Sequence, residues 1–275
     1  MSRRLCTALV LATIICLTGS SGSLLATEGS STSQVLEVQP SIDQFRDTTQ
    51  NLRDESQVKD TLRQYEKILQ SDPDNHEFLL KAAYLYYRLG WLYAGKKDKK
   101  DYYFKFFDYA TRASKLAPQE YRSSLLLAVA KAKIAGYLSH KDQVRIAREL
   151  AKETEKLVKS KGDDPDPVYL LSWLNFEIGR ISTFNKILAA ALFGGLPDGL
   201  SVENAFTLMD KAIQFRQDYA IYRYDLGFYY LRTGVKDKAR QQFEQVLMMR
   251  PQSTEEIVYQ QRAAAKIREM NKPVN

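Results

Sequence analysis

The sequence predicts an all-α fold, a solenoid of stacked helical hairpins. Three observations predict it. Apolar residues recur at helical spacing from about Ile42 onward, with short polar breaks between runs. One stretch near the end carries small, aromatic and proline residues at repeat spacing. Gly (13) and Pro (8) are scarce among 275 residues, and the prolines sit mostly at segment ends, which favours helices over strands and turns.

The first 26 residues read differently. Arg3 and Arg4 precede the apolar stretch Leu5 to Leu17, and Gly and Ser fill positions 19 to 23 before Ala26. Basic, apolar and small residues in that order are a secretory signal peptide, with cleavage expected after Ala26 or Ser23. The apolar stretch is shorter than the roughly 20 residues that span a bilayer. An uncleaved anchor is the other reading. Ile14 and Ile15 precede Cys16, where lipidation wants a small residue. Cys6 and Cys16 are the only cysteines, so cleavage removes both, which suits an oxidising compartment. The expected location is exported, periplasmic or secreted. Residues 27–41 are rich in Ser and Thr with no helical period and read as a flexible linker. Residues 42–275 form the repeat domain.

The clearest unit is Leu226-Gly227, Tyr230, Ala239, Phe243 and Pro251. This is the tetratricopeptide series at its proper gaps. Gly227 and Ala239 are small where paired helices approach closely. Tyr230 and Phe243 fill the gap between them, and Pro251 stops the second helix. Arg223 stands where Trp is usual. Tyr65, Ile68 and Asp72-Pro73 repeat the ending of a second helix. Ala82-Ala83 and Tyr86 begin a hairpin that Ala110, Ala113 and Pro118 close. Leu127-Ala128 begins another, closed near Asp164-Pro165, and Leu171-Ser172 with Phe176 begins a fourth, whose partner helix holds Ala205, Met209 and Ala212. About four repeats, a leading helix and a capping helix over Thr254 to Met270 follow. One hairpin cannot bury its apolar face alone, so stacking makes the core.

Two departures stand out. Gly90 to Asp101 lengthens the first hairpin, with Lys96, Lys97, Lys99 and Lys100 crowding its turn. The fourth hairpin carries an insert over residues 179–200, helical from Phe184 to Phe193, turning at Gly194-Gly195-Leu196-Pro197, with Ser201 capping the next helix.

The run Ala190 to Pro197, then Asn204-Ala205, Lys211-Ala212-Ile213, Leu226-Gly227, Tyr230-Leu231 and Lys238-Ala239-Arg240, with Gly90-Trp91 earlier, resembles the tetratricopeptide proteins related to the regulators of microtubule dynamics. The resemblance covers most of residues 55 to 270. It implies the fold and a non-catalytic role, and the family's name implies microtubule association for some animal members.

Chemistry is sparse. His76 and His140 lie at turns, with no carboxylate or second histidine placed to form a catalytic or metal motif. Asp163-Asp164-Pro165-Asp166 lacks the spacing of a calcium loop and reads as a helix-start cluster. The double glycine is followed by no lysine-serine pair, so it is no phosphate loop. No nucleophile–base pair is visible. No enzyme activity, metal or cofactor is expected. The formal charge of +7 is spread along the chain rather than focused in a stripe, and nucleic acid is not expected as a partner.

The expected function is an interaction scaffold that holds a protein or peptide in the concave groove of the array. Counting from the small residue of each first helix, the groove comprises Tyr84, Tyr87 and Arg88; Val129, Ala132 and Lys133; Trp173, Phe176 and Glu177; and Phe228, Leu231 and Arg232. Aromatic rings would supply contact area, while Arg88, Lys133 and Arg232 would pair with acidic groups on the partner. Helical spacing equally allows some of these aromatics to be core. The alternative function is an exported carrier of a small molecule or lipid, tied to solute uptake, with Phe184 to Leu196 closing a pocket. Membrane proximity, oligomeric state and partner identity stay open.

Overall fold

In a computed structural model, Leu52 and residues 54–272 are described. The expected signal peptide and linker lie outside the described residues. Among the described residues there are no strands. Eleven helices follow in order: α1 (Glu55–Ser71), α2 (His76–Arg88), α3 (Lys96–Leu116), α4 (Tyr121–Ala135), α5 (His140–Ser160), α6 (Pro165–Gly179), α7 (Thr183–Phe193), α8 (Val202–Phe215), α9 (Ala220–Arg232), α10 (Lys236–Met248) and α11 (Thr254–Met270).

Local chemistry starts most of them. The side chains of Asp54, Asn75, Glu120, Ser139, Asp164, Ser182, Ser201 and Ser253 each accept a hydrogen bond from a backbone N–H in the first turn that follows. These bonds satisfy amides that have no partner within the helix. The Asp163–Asp166 cluster works at such a start. Asp164 caps α6 and accepts from Tyr121 Oη at 2.8 Å, while Asp166 accepts from Tyr222 Oη at 2.8 Å.

The helices pair as antiparallel hairpins, α2 with α3, α4 with α5, α6 with α8 and α9 with α10. Helix α1 leads and α11 caps, and the insert helix α7 packs on α5. The small residues mark the tight crossings. A Cβ on Gly227 would lie 2.7 Å from Phe243 Cε1 and 3.2 Å from Ala239 O. At Gly179 it would lie 2.6 Å from Val202 N, so only glycine lets the backbone returning from the insert pass α6.

The long first hairpin resolves differently from the sequence expectation. Its extra length is taken up by a π-helical turn, Leu89–Tyr93, that prolongs α2. The lysine-rich segment from Lys96 to Lys100 does not crowd the turn. It forms the first turns of α3.

The helices divide into two layers. In α2, every residue from Ala82 to Arg88 is buried, and in α6 almost every residue is. Helices α4 and α9 are similar. Helices α1, α3, α5, α8 and α10 bury one stripe and leave the other side in water. A helix that is apolar all round must be enclosed by its neighbours. The first helices are therefore an inner layer and the second helices a jacket.

Candidate partner-binding face

The inner layer is built from aromatic rows. Tyr169 of α6 stacks on Tyr222 of α9 at 4.8 Å, and Phe176 stacks on Tyr229 at 3.8 Å with the planes 2° apart. Tyr87 packs against Trp91 at 5.9 Å and Phe106 at 5.4 Å. The two ends of the array then meet. Arg88 Nε lies 3.1 Å from Glu255 Oε1 of α11, and Trp91 lies 5.9 Å from the Tyr259 ring. At Arg88 Nε the approach to Glu255 is Coulombic, since that atom makes no aligned hydrogen bond.

This closure corrects the open groove expected from the sequence. Tyr84, Tyr87, Arg88, Val129, Ala132, Lys133, Trp173, Phe176, Glu177 and Phe228 are buried side chains. Only Leu231 and Arg232, at the end of α9, remain half-buried at the rim. The physical reason is that neighbouring first helices and α11 fill the space a partner would need. The expected partners of the cations are also supplied internally. Arg88 faces Glu255, and its Nη2 donates to Leu52 O at 3.2 Å. The Lys133 ammonium sits 5.3 Å from the Tyr87 and Tyr103 rings.

One charged group of the row differs in sign. Glu177 is buried, and its Oε1 accepts no hydrogen bond. Burial raises its carboxyl pKa above the usual range, and the positive charges of Arg232 and Arg180 offset only part of that. Arg180 is exposed and lies over Phe176 at 5.2 Å, while Arg232 lies over Phe228 at 5.6 Å. Two guanidiniums thus gather at the rim around one buried carboxyl. The sequence count found Glu177 and Arg232 but missed Arg180, because it lies just past the end of α6 and outside the counted positions.

The raised pKa has a definite sign. The folded state holds the Glu177 proton more tightly than the unfolded chain does. Its contribution to stability is therefore greatest below the usual carboxylate range and falls as pH rises through the raised folded pKa. Glu177→Gln, which keeps the shape and removes the ionisation, should raise the Tm at neutral pH and change it little in acid. Parallel Tm–pH curves for the two proteins would refute this.

Elsewhere the chemistry is structural. His76 Nε2 is 2.7 Å from Ser123 Oγ, tying α2 to α4, and His140 heads α5 with Nδ1 3.5 Å from Gln143 Oε1. Among the described residues no group of three His, Asp or Glu side chains is placed to hold a metal ion. Beside the insert, its residues Gly199 and Leu200 line a shallow depression of about 300 Å³ together with Glu155, Leu171, Asn175, Asn204, Thr207 and Leu208, while α7 contributes nothing to that lining.

The family model for Regulator of microtubule dynamics protein 1-3 matches residues 41–271. The chain belongs to that family. The thermophilic tetratricopeptide protein TTC0263 of Thermus thermophilus is similar in structure, with a TM-score of 0.52 and 15% identity over 82% of this chain and 100% of that one. MamA of Desulfovibrio magneticus RS-1 is similar at a TM-score of 0.44 and 17% identity, over 76% of this chain and 94% of that one. A human IFIT1 dimer with m7Gppp-AAAA reaches a TM-score of 0.41 at 15% identity, over 71% of this chain and 47% of that one. No curated protein matches the sequence significantly. The family and the Thermus protein agree on a helical repeat solenoid.

Proposed function

We propose that this member of the regulator of microtubule dynamics family is a non-catalytic, exported interaction scaffold that grips an acidic protein segment at the rim of its array. The observation that carries this reading is the pairing of Arg180 and Arg232 around Glu177 at the ends of α6 and α9. Leu231 adds apolar area beside them. The interior closes on its own aromatics, so the partner is held at the edge rather than enclosed. Guanidiniums recognise carboxylates through paired donors, and stacking on Phe176 and Phe228 restricts their motion before the partner arrives. The basic and apolar order of the first 26 residues supports an exported location.

The test is capture by the immobilised full chain from an extract of cells that express it. Arg180→Glu with Arg232→Glu should weaken capture of its specific proteins by about a hundredfold, since hydrogen bonds between charged groups contribute about 1.5–3 kcal/mol each. Helicity should be unchanged, because both side chains sit at helix ends. If the double variant retains the same proteins at low salt, the rim assignment is wrong.

A further inference from the structure

Helix α7 is inside out. Its buried positions, Asn185 and Ala189, are one turn apart and carry a polar and a small side chain. Its outward positions are Phe184, Ile187 and Leu192, exposed by 63%, 64% and 56%. A helix at a protein–water boundary ordinarily has the reverse polarity. The outward side chains present no hydrogen-bonding group to a partner.

The helix and the residues next to it carry positive charge, and Asp198 is the first carboxylate after it. No carboxylate occurs from Ile178 to Pro197, while Arg180 and Lys186 fall within that span. Arg148 reaches over from α5 and donates from Nη1 to Gly194 O at 2.9 Å, adding a third cation at the far end of the helix.

Geometry separates the occupants. No helix among the described residues is long and apolar enough to cross a membrane. At about 1.5 Å per residue, α7 reaches only about 16 Å, half of a bilayer's hydrocarbon core. Two copies joined through α7 would bury on the order of 600–700 Å² in total, about half of the roughly 1,200 Å² of a stable protein interface. A protein interface also carries about one hydrogen bond per 100–200 Å², which Phe184, Ile187 and Leu192 do not supply. A lipid surface demands neither a large area nor hydrogen bonds, and an anionic one meets the cations.

We propose that α7 lies flat in the headgroup region of a negatively charged bilayer. Phe184, Ile187 and Leu192 enter the acyl boundary, and Arg148, Arg180 and Lys186 meet the phosphates. The surface is distinct from the interior aromatic rows and uses one member of the rim, Arg180, only as a flanking charge.

A tryptophan placed on the face reads this directly in the full chain. Native Trp91 and Trp173 are buried, so the emission of Phe184→Trp minus that of the parent isolates position 184. With vesicles of phosphatidylcholine and phosphatidylglycerol, the added emission should shift to the blue and be quenched by brominated acyl chains. Ile187→Asp in the same background should weaken vesicle partitioning by about tenfold or more while leaving helicity unchanged. Because the readout belongs to position 184, membrane attachment through residues 5–17 cannot mimic it. No shift with anionic vesicles overturns the proposal. A concentration-dependent shift without vesicles also overturns it, in favour of a second copy, and a shift seen only with a protein partner assigns the face to that partner instead.

Discussion

Gly227→Trp should melt the last hairpin and lower the Tm of the whole protein by about 5 °C or more. The first atom added already collides. A Cβ at this position stands 2.7 Å from Phe243 Cε1, 3.0 Å from Phe243 Cδ1 and 3.2 Å from the Ala239 carbonyl oxygen. Phe243 has no room to yield, since it is fully buried and packs 5.4 Å from the Tyr224 ring. Forcing atoms into a close-packed core costs about 1–3 kcal/mol per modest insertion, and an indole is not modest. Gly95→Ala is the control, since its Cβ would meet nothing within 4 Å. Amide exchange should rise first in α9 and α10. An unchanged Tm would mean that Gly227 does not face α10.

Breaking the contact between the ends of the array should be nearly as costly. Arg88→Met removes a cation that is only 3% exposed and leaves Glu255 without that charge opposite it. Removing one partner of a buried ion pair costs about 3–5 kcal/mol, and the 15% exposure of Glu255 places this case at the lower end. Joining Arg88→Met with Glu255→Leu removes both charges and should recover most of the loss. Urea unfolding gives the energies. Amide exchange gives the location, with protection falling together in α2 and α11. A double variant no more stable than the single one would show that the pair does not couple the two ends.

Much of the fold is legible in the sequence because it rests on local chemistry. Ser201 caps α8 as its position before an amphipathic run requires, the capping helix spans Thr254–Met270, and the insert helix begins one residue before Phe184. Gly227, Ala239 and Phe243 meet because their spacing leaves no other face for them. The candidate site was harder to read. A helix that is apolar on every side gives no periodic signal for which side looks inward. Tyr84, Trp173 and Phe228 therefore fit a groove or a core equally well in sequence, and end-to-end packing decides for core. Arg88 and Glu255 lie far apart in the chain, and nothing local to either names the other. Helix α7 shows the same limit in reverse. Its apolar residues were visible, but only its packing on α5 shows that they point outward.

The meeting of α2 with α11 also bears on how such a chain can change over evolutionary time. In an open solenoid each unit touches only its neighbours, so a hairpin can be duplicated or deleted with little effect on the rest. Here Arg88 and Trp91 in the first hairpin hold Glu255 and Tyr259 in the last helix. One more hairpin, or one fewer, would carry these partners past each other. Length variation is thereby directed away from the number of units and into segments that leave the closure in register. The 179–200 insert is such a segment: it departs after α6 and returns beside Gly179, displacing nothing along the inner layer.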